Sequence, residues 1–73
     1  MERTVEINTE TIQLDQFLKW ANLVGSGGEA KNLIQAGEVM VNEEIEYSRS
    51  REIKPGDIVQ ISGDEDHYRV SSD

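Results

Sequence analysis

Cysteine is absent from this 73-residue sequence, so neither a disulfide framework nor a thiolate metal site can supplement its core. Its absence also points to a reducing compartment. Proline occurs once, at Pro55, and aromatic residues number four. No stretch approaches the roughly 18 apolar residues that a membrane span requires. The opening Met1-Glu2-Arg3-Thr4 is charged and lacks the apolar run of a signal peptide. These features predict a cytoplasmic protein without a membrane partner. His67 is the single histidine and has no spaced carboxylate pair around it, and Asp64-Glu65-Asp66 lacks the ligand pattern of a calcium loop. No nucleophile–base arrangement is legible either, so the expectation is a binding module with no catalytic residues, no metal and no cofactor.

Basic residues are also scarce. Seven stand against fifteen acidic ones, a formal charge of −8. Long-range attraction to a polyanion is unfavourable at that balance. The distribution is uneven, however. Residues 1–11 carry −2 (Arg3 against Glu2, Glu6 and Glu10), and residues 63–73 carry −3 (Arg69 against Asp64, Glu65, Asp66 and Asp73). The middle carries the other −3 but holds five of the seven cations. A local basic face remains possible there.

What is present is a legible order of elements. Thr4-Val5-Glu6-Ile7 alternates as a short edge strand does. Leu14, Phe17, Leu18 and Ala21 follow helical spacing, with Asp15, Lys19 and Asn22 opposite, which predicts an amphipathic helix over about Gln13 to Asn22. Gly25-Ser26-Gly27-Gly28 breaks it. Ser26 and Glu29 form the S-x-x-E pattern of a capping box, so a second helix should begin there, with Ala30, Leu33 and Ile34 inward and Gly37 as its left-handed stop. The remainder reads as strands: Val39 and Val41, then a turn at Asn42-Glu43-Glu44, then Ile58 to Ile61, and last Tyr68 and Val70. Lys54-Pro55-Gly56-Asp57 has the composition of a type II turn. Gly63-Asp64-Glu65-Asp66 reads as a hairpin tip. The length fits one domain over residues 1–73.

Four segments carry a resemblance to a known family. Leu14-Asp15-x-x-Leu18 resembles the first-helix signature of the ribosomal-protein-S-four-type RNA-binding domain, and Ser26-x-x-Glu29-Ala30-Lys31-x-x-Ile34 the start of its second helix. Gly37-x-Val39-x-Val41-Asn42 resembles its first hairpin strand, and Lys54-Pro55-Gly56-Asp57-x-Val59 its last turn and strand. Together they cover about residues 12–61. Leu18-Lys19 and the run Ser26 to Lys31 are similar to the small stand-alone subgroup called YaaA-like, found in bacteria. The resemblance implies an α+β fold, with two short helices (the alpha-L RNA-binding motif) packed on a small, mainly antiparallel sheet. It also implies a basic face, on the helix pair and hairpin, that binds structured RNA, ribosomal or other. Departures from the family pattern all make this chain more acidic. Gln13 and Gly27 stand at or near common arginine positions, Glu43 replaces a glycine, and residues 47–52 are less rich in arginine.

Lys19, Lys31, Arg49, Arg51 and Lys54 are the candidate RNA-binding residues. As ordinary solvated cations they would pair with neighbouring carboxylates; the resemblance favours phosphate contacts for Lys31, Arg49 and Arg51. Arg49 and Arg51 are expected on one face of an extended segment, because side chains alternate along a strand. Tyr47 beside them is a possible stacking residue. Gly27 and Gly28 precede a helix, where free amides can hold a phosphate, although a tight turn explains them equally well. Trp20 lies at the edge of the first helix's apolar stripe and is expected to pack at the helix–sheet junction more than to stack on a base.

Two other readings compete. The acidic charge would suit a module of the same fold that binds a basic protein. Val41-Asn42-Glu43-Glu44-Ile45 with Pro55-Gly56-Asp57-x-Val59 also resembles part of a β-grasp sulfur carrier. Such carriers need a C-terminal Gly-Gly, and this sequence reads Val70-Ser71-Ser72-Asp73 there.

Overall fold

The structure is a computed structural model and describes Met1–Ser72. Its elements are β1 (Glu2–Ile7), β2 (Ile12–Gln13), α1 (Leu14–Trp20), α2 (Gly27–Gln35), β3 (Val39–Val41), β4 (Glu44–Ile45), β5 (Glu52–Ile53), β6 (Ile58–Ile61) and β7 (His67–Ser72). One sheet has five strands in the order β1-β7-β6-β3-β4, and β2 pairs with β5 in a separate two-stranded ladder. All pairings are antiparallel except β1 with β7, which run parallel from Glu2 opposite His67 to Ile7 opposite Ser72. The architecture is α+β, two short helices on a mixed but mainly antiparallel sheet. It is not the single crossover helix on four strands of a β-grasp protein.

The helices form where the apolar spacing predicts. Leu14, Phe17 and Leu18 of α1 and Ala30 and Ile34 of α2 are fully buried, and they meet Val39, Val41, Val59, Tyr68 and Val70 from alternate positions of three strands. Burying each of the larger side chains contributes about 1.5–3 kcal/mol, so this one face of the sheet holds the helices in place. Helix α1 is shorter than the periodicity suggests. Asn22 takes a left-handed conformation (φ 62°), and the amide of Leu23 donates to the Leu18 carbonyl, closing the helix two residues after Trp20. Helix α2 begins at the expected cap: Ser26 Oγ accepts the Glu29 amide at 3.2 Å, and Glu29 Oε1 accepts from Gly25 at 3.2 Å, one residue before the cap itself. Gly37 ends the same helix at φ 77°.

Two turns complete the frame. Asn42 and Glu43 are both left-handed (φ 52° and 71°), as a two-residue hairpin between β3 and β4 requires. A glutamate in that region is strained by about 1–2 kcal/mol, which a glycine at Glu43 would avoid. The turn at Lys54-Pro55-Gly56-Asp57 closes with the Asp57 amide on the Lys54 carbonyl at 3.0 Å and Gly56 at φ 98°. Asp57 is buried, and its carboxylate accepts from Asn42 Nδ2 and from the Lys54 amide. Asn42 Oδ1 in turn accepts the Ile58 amide. This small network ties the hairpin to the turn.

Candidate nucleic-acid interface

The seven basic side chains divide cleanly into those with a carboxylate partner and those without. On the first and last strands, Arg69 holds Glu2 through two hydrogen bonds of 2.9 and 3.1 Å, and Arg3 reaches Asp66 at 2.6 Å. Arg51 pairs with Glu46 at 2.6 Å. Among the described residues, Lys19, Lys31, Arg49 and Lys54 make no ion pair, and all four are exposed. The pairing also shows in acidity. Hydrogen bonding to Arg69 lowers the pKa of Glu2, and hydrogen bonding to Arg51 lowers that of Glu46.

Residues 47–51 lie between the start of α1 and the end of α2. The Gln13 side chain does not cap α1. Instead the Leu14 amide donates to the Arg51 carbonyl at 2.8 Å, and the Asp15 amide to the Arg49 carbonyl at 3.1 Å. These bonds satisfy two of the orphan donors at a helix start. At the other end of the segment, Tyr47 lies against Gly37, close enough that a Cβ there would stand 3.2 Å from the tyrosine ring. The segment thus connects the start of α1 to the end of α2. It is not extended, as the alternation argument supposed: Ser48 to Arg51 forms a turn, with the Arg51 amide on the Ser48 carbonyl at 3.3 Å. The two arginines therefore do not share a strand face, and Arg51 is turned to Glu46.

The family model of the S4 domain matches residues 5–71. The chain belongs to the S4 domain family. It is 44% identical over 63 residues to a probable ribosome maturation protein, RlbA, of Bacillus subtilis, covering 86% of this chain and 89% of that one. The fold is also similar to a crystal structure of the 30S ribosomal protein S4e from Thermoplasma acidophilum, with a TM-score of 0.62 at 18% identity over 85% of this chain. This S4 domain spans about a third of that larger protein, 32% of its length.

Within the S4 domain the other candidate residues are dispersed around the helix pair. Lys31 is on the exposed side of α2, six residues before Gly37, or about 9 Å along the helix axis. Lys19 occupies the last turn of α1, opposite the end that residues 49 and 51 cap. Lys54 opens the turn that leads into β6, where Gly56 and Asp57 bond to Val70 of β7. Gly27 and Gly28 are the first residues of α2; they are exposed, and a Cβ at Gly27 would meet nothing within 4 Å. Tyr47 is exposed despite its contact with Gly37. Trp20 departs from the expected burial. Its indole Nε1–H reaches the Glu6 carbonyl at 2.7 Å, so it does sit at the junction of helix and sheet, but the residue is 53% exposed. No group of three histidines and carboxylates among the described residues could hold a metal ion.

Neither the Arg51–Glu46 pair nor the exposure of Trp20 could be read from the sequence. The first depends on a turn that the alternation of residues does not announce. For the second, position at the edge of the apolar stripe was a partial signal.

Proposed function

We propose that this S4 domain is a non-catalytic RNA-binding module that contacts structured RNA, ribosomal RNA foremost, through the helix pair and the segment between residues 47 and 54. The observation that carries this reading is the near end-to-end relation to a ribosome maturation protein. The four exposed cations that lack a carboxylate partner among the described residues support it, since phosphate contacts need cations that are not already neutralised. Lys31 and Arg49 are the primary contacts. Lys19, Lys54 and Arg51 contribute at the margin, Arg51 after releasing Glu46. No helix among the described residues is long and apolar enough to cross a membrane, which suits action on ribosomal material in the cytoplasm.

Binding should be modest and salt-sensitive, because a local face works against a net charge of −8. For about three to five phosphate contacts the log–log salt slope should be roughly −2 to −3.5. Replacing Lys31→Glu and Arg49→Glu together should weaken binding of a structured ribosomal RNA fragment by about tenfold or more and flatten that slope by about 1–2. Both residues are exposed, so the thermal midpoint should barely move. Unchanged binding by the folded double variant would refute this interface. A basic protein is the second reading, favoured by the net charge, and it gains if parent and variant both fail to bind RNA.

A further inference from the structure

Trp20 is the only tryptophan of the chain, and it is 53% exposed although its apolar surface would ordinarily be buried. The ring is not loose. Its N–H donates to the Glu6 carbonyl at 2.7 Å, which fixes the last turn of α1 to β1 and uses the indole's single polar group. With that group satisfied, a ligand can meet the exposed part of the residue only through apolar and π contacts. The depression beside the ring is lined by Ile12, Gln16 and Lys19. Gln16 lies one helical turn before Trp20, so the two project from the same side of α1. Lys19 is exposed and has no ion-pair partner among the described residues.

We propose that Trp20, Gln16 and Lys19 form a stacking site for an unpaired nucleobase of an RNA strand. The inference rests on the RNA-binding reading and adds the chemical form of the RNA at this point. A fixed aromatic face gives sequence-tolerant stacking, an amide can donate to and accept from a base edge, and an adjacent cation meets the backbone phosphate. Glu52 lines an adjoining depression that shares Ile12, Gln16 and Trp20 but not Lys19, so the phosphate belongs beside Lys19. Charge separates this occupant from a basic protein, which Lys19 would repel. Ile12 alone offers too little apolar wall for a docked peptide helix.

Because Trp20 is the only tryptophan, its emission reports the site directly. The parent protein is titrated with a short oligoadenylate and with a blunt RNA hairpin whose loop bases are paired or removed. The oligoadenylate should quench Trp20 emission, and the blunt hairpin should bind without quenching. Trp20→Ala should weaken oligoadenylate binding roughly 5- to 150-fold, the range of one lost base stack, whereas Trp20→Phe should retain most of the affinity. Should the alanine variant unfold, the parent's quenching and the phenylalanine variant decide the matter. Binding of both RNAs with unchanged emission, and at parental affinity in Trp20→Phe and any folded Trp20→Ala, overturns the stacking site, leaves the RNA reading intact and frees the ring for a protein partner. Binding of neither RNA overturns both.

Discussion

The paired terminal strands and the helix–turn region use charge in opposite ways. On β1 and β7 both arginines are held by carboxylates, Arg69 by Glu2 and Arg3 by Asp66, and the N-terminal amine approaches Asp66 at 3.8 Å. Charge there joins the two ends of the chain across a parallel pairing. In the helix–turn region four of five cations have no such partner among the described residues. Several acids of that region are instead occupied locally: Glu29 and Asp15 accept backbone amides at the helix starts, Asp57 is buried in its network, and Glu46 faces Arg51. Net charge is therefore a poor guide to which cations are left available on this protein. What matters is which cations the fold neutralises.

The joint between the regions should be the most sensitive point. Asp57 accepts from Asn42 and Lys54 through its side chain, and its carbonyl accepts the Val70 amide of β7. Asp57→Ala would leave the Asn42 side-chain amide and the Lys54 N–H without their acceptor and should cost about 1–3 kcal/mol in urea denaturation. If the loss were no larger than for an exposed carboxylate such as Glu10, the network would not be what holds the regions together. A smaller effect belongs to the helix–turn region alone. Ser26→Ala removes the α2 cap and should cost about 0.5–2 kcal/mol, with amide exchange rising first in α2 and not in β1. Equal acceleration in both would mean the two regions unfold as one.

The smallest effect is electrostatic and belongs to the terminal strands. Glu2 and Asp64 are held below the usual carboxylate range, by hydrogen bonds from Arg69 and from Tyr68 respectively. A lowered folded-state pKa stabilises above the unfolded value, and that stabilisation disappears as pH falls through the folded value. Protection from exchange at β1 and β7, relative to the intrinsic rate at each pH, should therefore fall as pH falls below about 4. Tyr68 is the mirror case. Its hydrogen bond to Asp64 pushes its pKa up to about 12, so its contribution is intact below pH about 10 and is lost as pH rises toward that value. Acid and alkaline loosening that began in α2 would contradict this assignment.

Much of the fold was legible because its signals are local. The apolar spacing from Leu14 to Leu18, the Ser26–Glu29 cap, Gly37 and the Pro55-Gly56 turn each state their conformation within a few residues, and together they resemble one family in order and spacing. Long-range features were not. Val5 and Ile7 mark an edge strand, but nothing in their alternation says that β1 pairs parallel to a strand 65 residues away. The β2–β5 ladder is two residues long on each side, too short for a period to register. For the candidate interface, residue types were readable and placement was not. The arginines at 49 and 51 suggested an extended face, whereas a turn and the capping of α1 decide their backbone, and Glu46 decides one guanidinium. Trp20 was judged by its position on a helical stripe, while the structure ties its N–H to the Glu6 carbonyl and leaves the residue half exposed.

The contrast between the two regions can be tested in one titration. Binding of a structured ribosomal RNA fragment is measured at low and physiological salt for the parent, for Lys31→Glu with Arg49→Glu, and for Arg3→Gln with Arg69→Gln. The first pair adds two more units of negative charge than the second, so Lys31→Gln with Arg49→Gln is run beside them as the matched control. The account predicts that both helix–turn pairs lose affinity, by several-fold for the glutamines and about tenfold or more for the glutamates, while the terminal pair binds like the parent within about twofold. Equal losses in the two glutamine pairs would show that only net charge matters, and the division between neutralised and available cations would be wrong.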